Sequence, residues 1–126
     1  MQLVTQLRLT EQVNLDHSQL STLYAQLSPA GAEDVVCPAM EELALRLSHC
    51  ERLFRGKNWP ELRKSARSLI AIADQIGMKG VSIVATDVTA CIDAKDDHAV
   101  ASTIHRLMRT GEGSLTAIWE LQDLTI

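Results

Sequence analysis

Aromatic side chains are almost missing from this chain: one Phe, one Tyr and two Trp make up 3% of its 126 residues. Because 46% of the residues are nonetheless hydrophobic, the core has to be built from Leu, Ile, Val and Ala, the usual filling of a helix bundle. Basic charge is not in excess. Twelve Lys and Arg against sixteen Asp and Glu give a net charge of −4, and no basic run exceeds three residues, so the electrostatic footprint of a nucleic-acid binder is lacking. Cysteine is scarce: Cys37, Cys50 and Cys91 form no CxxC and leave an odd thiol under any pairing. That usage predicts reduced thiols and a cytoplasmic location.

No apolar run approaches membrane-spanning length, and the opening MQLVTQLRLTEQ has no basic region followed by an apolar core. Neither a membrane partner nor a signal peptide is therefore expected. No strand alternation with turn chemistry, no internal repeat and no low-complexity segment is visible. The chain also lacks a Ser-His-Asp order, a Gly-rich phosphate loop and a carboxylate pair, which removes the common enzyme signatures. His49, His98 and the three cysteines have no ligand spacing, so no metal and no cofactor is predicted. The cysteines on apolar stripes read as core residues. A length of 126 residues suits one domain, residues 1–126, with a core that needs no disulfide or metal.

What is present is helical periodicity. The most informative stretch is NWPELRKSARSLIAIADQIGM, Asn58 to Met78. Asn58 can cap the first N–H groups, Pro60 suits a first turn, Glu61 complements the positive dipole end, and Gly77 can end the helix in the left-handed conformation. Leu62, Ala66, Leu69, Ala73 and Ile76 form one apolar stripe. The opposite face carries Arg63, Lys64, Arg67, Ile70, Ala71 and Asp74, so a cationic row gives way to an isoleucine where a solvated helix would normally show a polar residue.

Before this stretch, residues 1–13 fit neither period and read as an irregular arm. A short helix is expected from Asp16 or Ser18 to Leu27, broken by Ser28-Pro29-Ala30-Gly31. A longer helix then runs from about Ala32 to Arg55, with Val36, Ala39, Met40, Leu43, Leu47, Cys50 and Phe54 inward, and with a kink or a delayed start at Pro38. Gly56-Lys57-Asn58 forms a tight connection. A third long helix covers about Lys79 to Ala94, with Val81, Val84, Val88, Cys91 and Ile92 inward. Asp96-Asp97 cap a last helix with the seam Ala101, Ile104, Met108, Gly111, Leu115 and Ile118. Gly111 and Gly113 weaken it, marking a bend or a close approach of two backbones. Trp59 reads as a cap on the bundle's end, and Trp119 as half-buried. The expected fold is all-α, an up-down-up-down antiparallel four-helix bundle with an additional short N-terminal helix.

The central helix also resembles the active helix of histidine-containing phosphotransfer (HPt) domains, whose pattern is Ala-His-x-Leu-Lys-Gly with another Gly six residues on. Here Ala66-Arg67-Ser68-Leu69-Ile70-Ala71 leads at that spacing to Gly77. Ala66, Leu69 and Gly77 match, and the order of helices over roughly residues 14–122 agrees. The departures are chemical: Arg67 stands at the phosphoacceptor histidine, Ile70 at the helping lysine and Ala71 at the glycine. Phosphotransfer needs an imidazole nucleophile and a nearby cation. Arginine offers no lone pair, so the family position is not competent.

The resemblance implies a signalling domain of a two-component or phosphorelay system that keeps a docking face without its chemistry. The implied partner is a response-regulator receiver domain or a histidine kinase, met through Arg63, Arg67, Ile70, Ala71 and Asp74. Arg67 would pair with the acidic receiver pocket. Two alternatives stand beside it. His105, in Ile104-His105-Arg106-Leu107-Met108-Arg109, repeats the His-x-Leu spacing with a cation four residues on and could be a displaced phosphoacceptor. A bundle that dimerises through the Ile70 face, as a scaffold, is the other.

Overall fold

The computed structural model describes the backbone of residues 29–125 and the side chains of residues 36–120. The irregular arm and the short N-terminal helix expected above lie outside the described residues. Those described form four helices: α1 (Pro29–Arg55), α2 (Trp59–Gln75), α3 (Lys79–Asp93) and α4 (Asp97–Thr125). No strand occurs among them. Each helix packs on its sequence neighbours, α1 closes the ring against α4, and the diagonal pairs stand further apart. With connections of three residues, neighbours must run antiparallel. The fold is an all-α, up-down-up-down four-helix bundle.

Two helix starts follow the sequence signals. The Asn58 side chain accepts from the Glu61 backbone N–H at 3.4 Å, and the Asp96 carboxylate accepts from the Ala99 N–H at 3.1 Å. The start of α3 has no side-chain cap at Met78; Met78 is instead fully buried, anchoring the turn by packing. The start of α1 differs from expectation. Pro29, Ala30 and Gly31 are helical rather than a break, because a proline at the first helical position gives up an N–H that had no partner anyway. The helix also passes through Pro38 without a delayed start. Its cost there is one missing backbone hydrogen bond.

The three inter-helix turns share one device. Asn58 N–H donates to the Leu53 carbonyl and Lys57 N–H to that of Phe54. Met78 and Gly77 donate likewise to Ala73 and Asp74, and Asp96 and Lys95 to Cys91 and Ile92. Each turn is thus a Schellman motif, with its left-handed residue at Lys57 (φ 55°), Gly77 (φ 74°) or Lys95 (φ 56°).

The core joins all four helices through Leu43 and Leu47 of α1, Leu62 and Leu69 of α2, Val84 and Val88 of α3, and Ile104 and Leu107 of α4. On α4 the buried face is wider than the expected seam. Ala101 and Met108 are only half-buried, while Val100, Leu107, Thr110 and Ser114 are buried. Ile104, Gly111, Leu115 and Ile118 of the expected seam are buried as well, so the seam holds but the buried face extends past it, and the polar Thr110 and Ser114 are positions the apolar pattern does not mark. The Ser114 hydroxyl is buried with no hydrogen-bond partner among the described residues. Cys91 and Ile92 of α3, like Ala39 and Phe54 of α1, pack at the core's margin rather than inside it. Trp119 is 57% exposed, more open than the half-buried position expected.

Gly111 is a point of close approach, and α4 runs through it and Gly113 without a break. A Cβ built on Gly111 would fall 2.5 Å from Cδ1 of Leu47. The missing side chain therefore lets Leu47 of α1 lie directly on the α4 backbone.

Candidate functional site

The α2 surface was the sequence's first candidate. Arg67, Ala71 and Asp74 are exposed, one above the other at helical spacing, and the fold presents them to solvent because Ala66, Leu69 and Ala73 claim the opposite face. Ile70 departs from the expectation of an exposed anchor. It is half-buried and packs against the core cluster.

Arg63 is also more engaged than a solvent-facing cation. Its guanidinium forks onto the Asp93 carboxylate at the end of α3, Nε to Oδ1 at 2.7 Å and Nη2 to Oδ2 at 3.0 Å. The hydrogen bonds from Arg63 hold the Asp93 carboxyl below the usual carboxylate range; partial desolvation opposes this, and the charges of Arg63 and, more weakly, Arg67 assist it. The sequence-predicted five therefore divide. Arg67, Ala71 and Asp74 form the open ridge, while Arg63 is tied to α3 and Ile70 packs against the core. Asp93, thirty residues from Arg63, was not identified from sequence, since nothing local marks a long-range pair.

On the other side of α2, Ser65 is buried and its hydroxyl accepts from the Cys50 thiol of α1 at 3.3 Å. Burial pushes the Cys50 thiol up, against the lowering effects of the Ser65 hydrogen bond and the Arg46 charge. All three cysteines are free. Cys50 is a core residue with a satisfied donor, not a nucleophile.

His105, the second candidate, is exposed on α4. Its ring meets Phe54 of α1 edge-on, with centroids 6.3 Å apart and planes at 73°. Phe54 in turn contacts Trp59, centroids 6.0 Å apart, so Phe54, Trp59 and His105 meet at the α1–α2 turn beside α4. His105 opens onto a groove of about 320 Å³ lined by Glu51, Phe54, Arg55, Ile104, Met108 and Arg109. Sequence spacing had placed His105 and Arg109 together, one turn apart, but not the α1 residues opposite them.

Among the described residues, no group of three or more His, Cys, Asp and Glu side chains could hold a metal ion. No described helix is long and apolar enough to cross a membrane. No family model matches the chain, and no curated protein or solved structure matches it.

Proposed function

We propose that the chain is a phosphotransfer-like interaction module that docks a response-regulator receiver domain through α2 without itself accepting a phosphoryl group there. The supporting observation is the ridge of Arg67, Ala71 and Asp74, exposed on the second helix of a four-helix bundle. An alanine at the centre of that ridge keeps the surface low enough for another helix or loop to approach closely. Arg67 beside it supplies a cation suited to an acidic pocket. The chemistry at that position is closed, because a guanidinium has no lone pair with which to attack phosphorus.

The test is calorimetry of the chain against receiver domains, in phosphorylated and unphosphorylated forms. Arg67→Glu and Ala71→Glu should each weaken binding at least about tenfold and leave thermal stability unchanged, since both side chains are exposed. Ile70 is a poorer probe, because a half-buried residue changes stability as well as surface. Absence of binding to every receiver tested, or binding indifferent to both substitutions, would sink the reading.

A second reading rests on His105, an exposed imidazole flanked by the guanidinium-bearing Arg55 and Arg109. That setting could stabilise a phosphoryl group. Acid-labile label from a phosphorylated receiver, lost in His105→Gln, would favour this reading over the first. Self-association measured by sedimentation, and abolished by Ala71→Glu, would favour the scaffold reading instead.

A further inference from the structure

The outward face of α1 carries an inference that shares no residue with the α2 ridge. Val36, Met40, Leu43, Leu47 and Cys50 turn the inner side of α1 to the core. Leu45, two positions from both Leu43 and Leu47, falls on the opposite side of the helix. It is 67% exposed, the most open large hydrophobic side chain among the described residues. An exposed leucine by itself is ordinary, but the surroundings of this one are not. Beside it lies a shallow hollow of about 270 Å³ lined by Glu42, Leu45, Arg46, His49 and Arg52. Positions 42, 45, 46 and 49 stand at i, i+3, i+4 and i+7, the four corners of the hole that receives one side chain of a facing helix. Leu45 is thus a knob and also one corner of a hole that a knob of its own kind would fill.

Charge along the same face has a direction. Glu41 and Glu42 precede Leu45, while His49 and Arg52 follow it. Glu42 is held by Arg46 of the same helix at 3.0 Å. Glu41 and Arg52 form no ion pair among the described residues. An order of acid, leucine and base complements itself in one orientation only. Turned about a two-fold axis at Leu45, a second α1 runs antiparallel, so Glu41 of one copy comes level with His49 of the other. Arg52 of that copy lies three residues further, about 4.5 Å along the axis, within reach of a long side chain. A parallel pair would set Glu41 on Glu41 and Arg52 on Arg52, which is repulsive.

We infer that the outward face of α1 binds a second copy of this chain, the two helices antiparallel, with Leu45 of each seated in the other's hole at 42, 45, 46 and 49. The interface is isologous, so every contact is made twice. Glu41 facing His49 and Arg52 fixes the orientation, and the two leucines supply the apolar area removed from water. One helix against one helix covers less than the roughly 1,600 Å² of a standard interface, so the dimer is a weak one, with a Kd above about 1 µM.

The experiment is sedimentation equilibrium of the full chain at low salt, over about 1 µM to 1 mM. A reversible monomer–dimer equilibrium is expected, and added salt should weaken it. Leu45→Glu should abolish it and leave the thermal midpoint of dilute protein unchanged, because the position is exposed. Glu41→Arg and Arg52→Glu should each weaken the dimer about tenfold, since two symmetric attractions become repulsions. An equimolar mixture of those two variants should associate as well as the wild type, because each offers the charge the other has lost. Ala71→Glu should change nothing, which separates this surface from self-association through α2. The inference is overturned if the chain stays monomeric to about 1 mM, if a dimer survives Leu45→Glu, if either charge variant dimerises like the wild type, or if their mixture does no better than each alone. It is also overturned if Leu45→Glu lowers the midpoint of dilute protein, the sign that the chain's own residues cover that face.

Discussion

At the scale of single residues, the pairing of Arg63 with Asp93 is the contact with the clearest consequence in solution. It ties the second turn of α2 to the last turn of α3 by two parallel hydrogen bonds, the arrangement in which a guanidinium holds a carboxylate best. Because the folded carboxyl is depressed, its contribution to stability is present above the unfolded value and is lost as pH falls through the folded one. Urea unfolding of the wild type and Asp93→Asn across acidic pH should show the wild type more stable near neutrality, with the gap closing as Asp93 protonates. A gap that stayed constant to the acid limit would mean the pair acts through packing rather than charge. The same pair bears on the α2 ridge, because it matches the Arg63 charge internally and leaves Arg67 as the ridge's outward cation.

At the scale of elements, the turns reveal what helix periodicity leaves open. A left-handed residue closes each of α1, α2 and α3, and only α2 uses a glycine for it. Lysine at Lys57 and Lys95 is held in that conformation at a cost, since Cβ crowds the following carbonyl. Lys95→Gly should therefore stabilise the chain by up to about 1 kcal/mol, and Gly77→Ala should destabilise it by a similar amount, both read from thermal or urea unfolding. If Lys95→Gly proved destabilising, the lysine side chain would have to hold a contact that outweighs its backbone strain. The Gly56-Lys57-Asn58 turn carries the same lesson. Although this turn contains a glycine, Gly56, the positive φ belongs to Lys57, one step further, because hydrogen bonding back to Leu53 and Phe54 sets which residue must turn.

At the scale of the whole molecule, the register between α1 and α4 depends on one absent side chain. Leu47 occupies the space a Cβ on Gly111 would need, and this contact fixes where the helices touch and where the Phe54–His105 groove opens. Gly111→Ala gains helix propensity, roughly 1 kcal/mol, but forces Leu47 to shift in a packed seam, at a cost of about 1 to 3 kcal/mol. Leu47→Ala alone should lose at least about 2 kcal/mol through the cavity it leaves. The double variant should then be more stable than the sum of the two single effects, by about 1 kcal/mol, because each removes the other's clash or void. Strict additivity in that cycle, measured by urea unfolding, would show that the two helices are not in the contact described.

What the sequence determined by itself was the helical class, the boundaries of α2 and α3 to within a residue or two, and most of the core. Those features are local or periodic: caps at Asn58 and Asp96, and stripes such as Leu62, Ala66, Leu69 and Ala73, read the same in an isolated helix as in the bundle. The tertiary structure decided what depends on a second helix. It buried Thr110 and Ser114 beside the expected α4 seam and left Met108 at the core's margin, because packing against α1 and α3 covers polar positions that hydrophobicity alone does not mark. It also drew Ile70 toward the core and Arg63 to Asp93, leaving only Arg67, Ala71 and Asp74 of the predicted five as an open ridge. And it set Phe54 against His105, a meeting of residues 51 positions apart that no spacing rule within one helix can supply, since helix geometry constrains neighbours three and four residues away and is silent about what lies opposite.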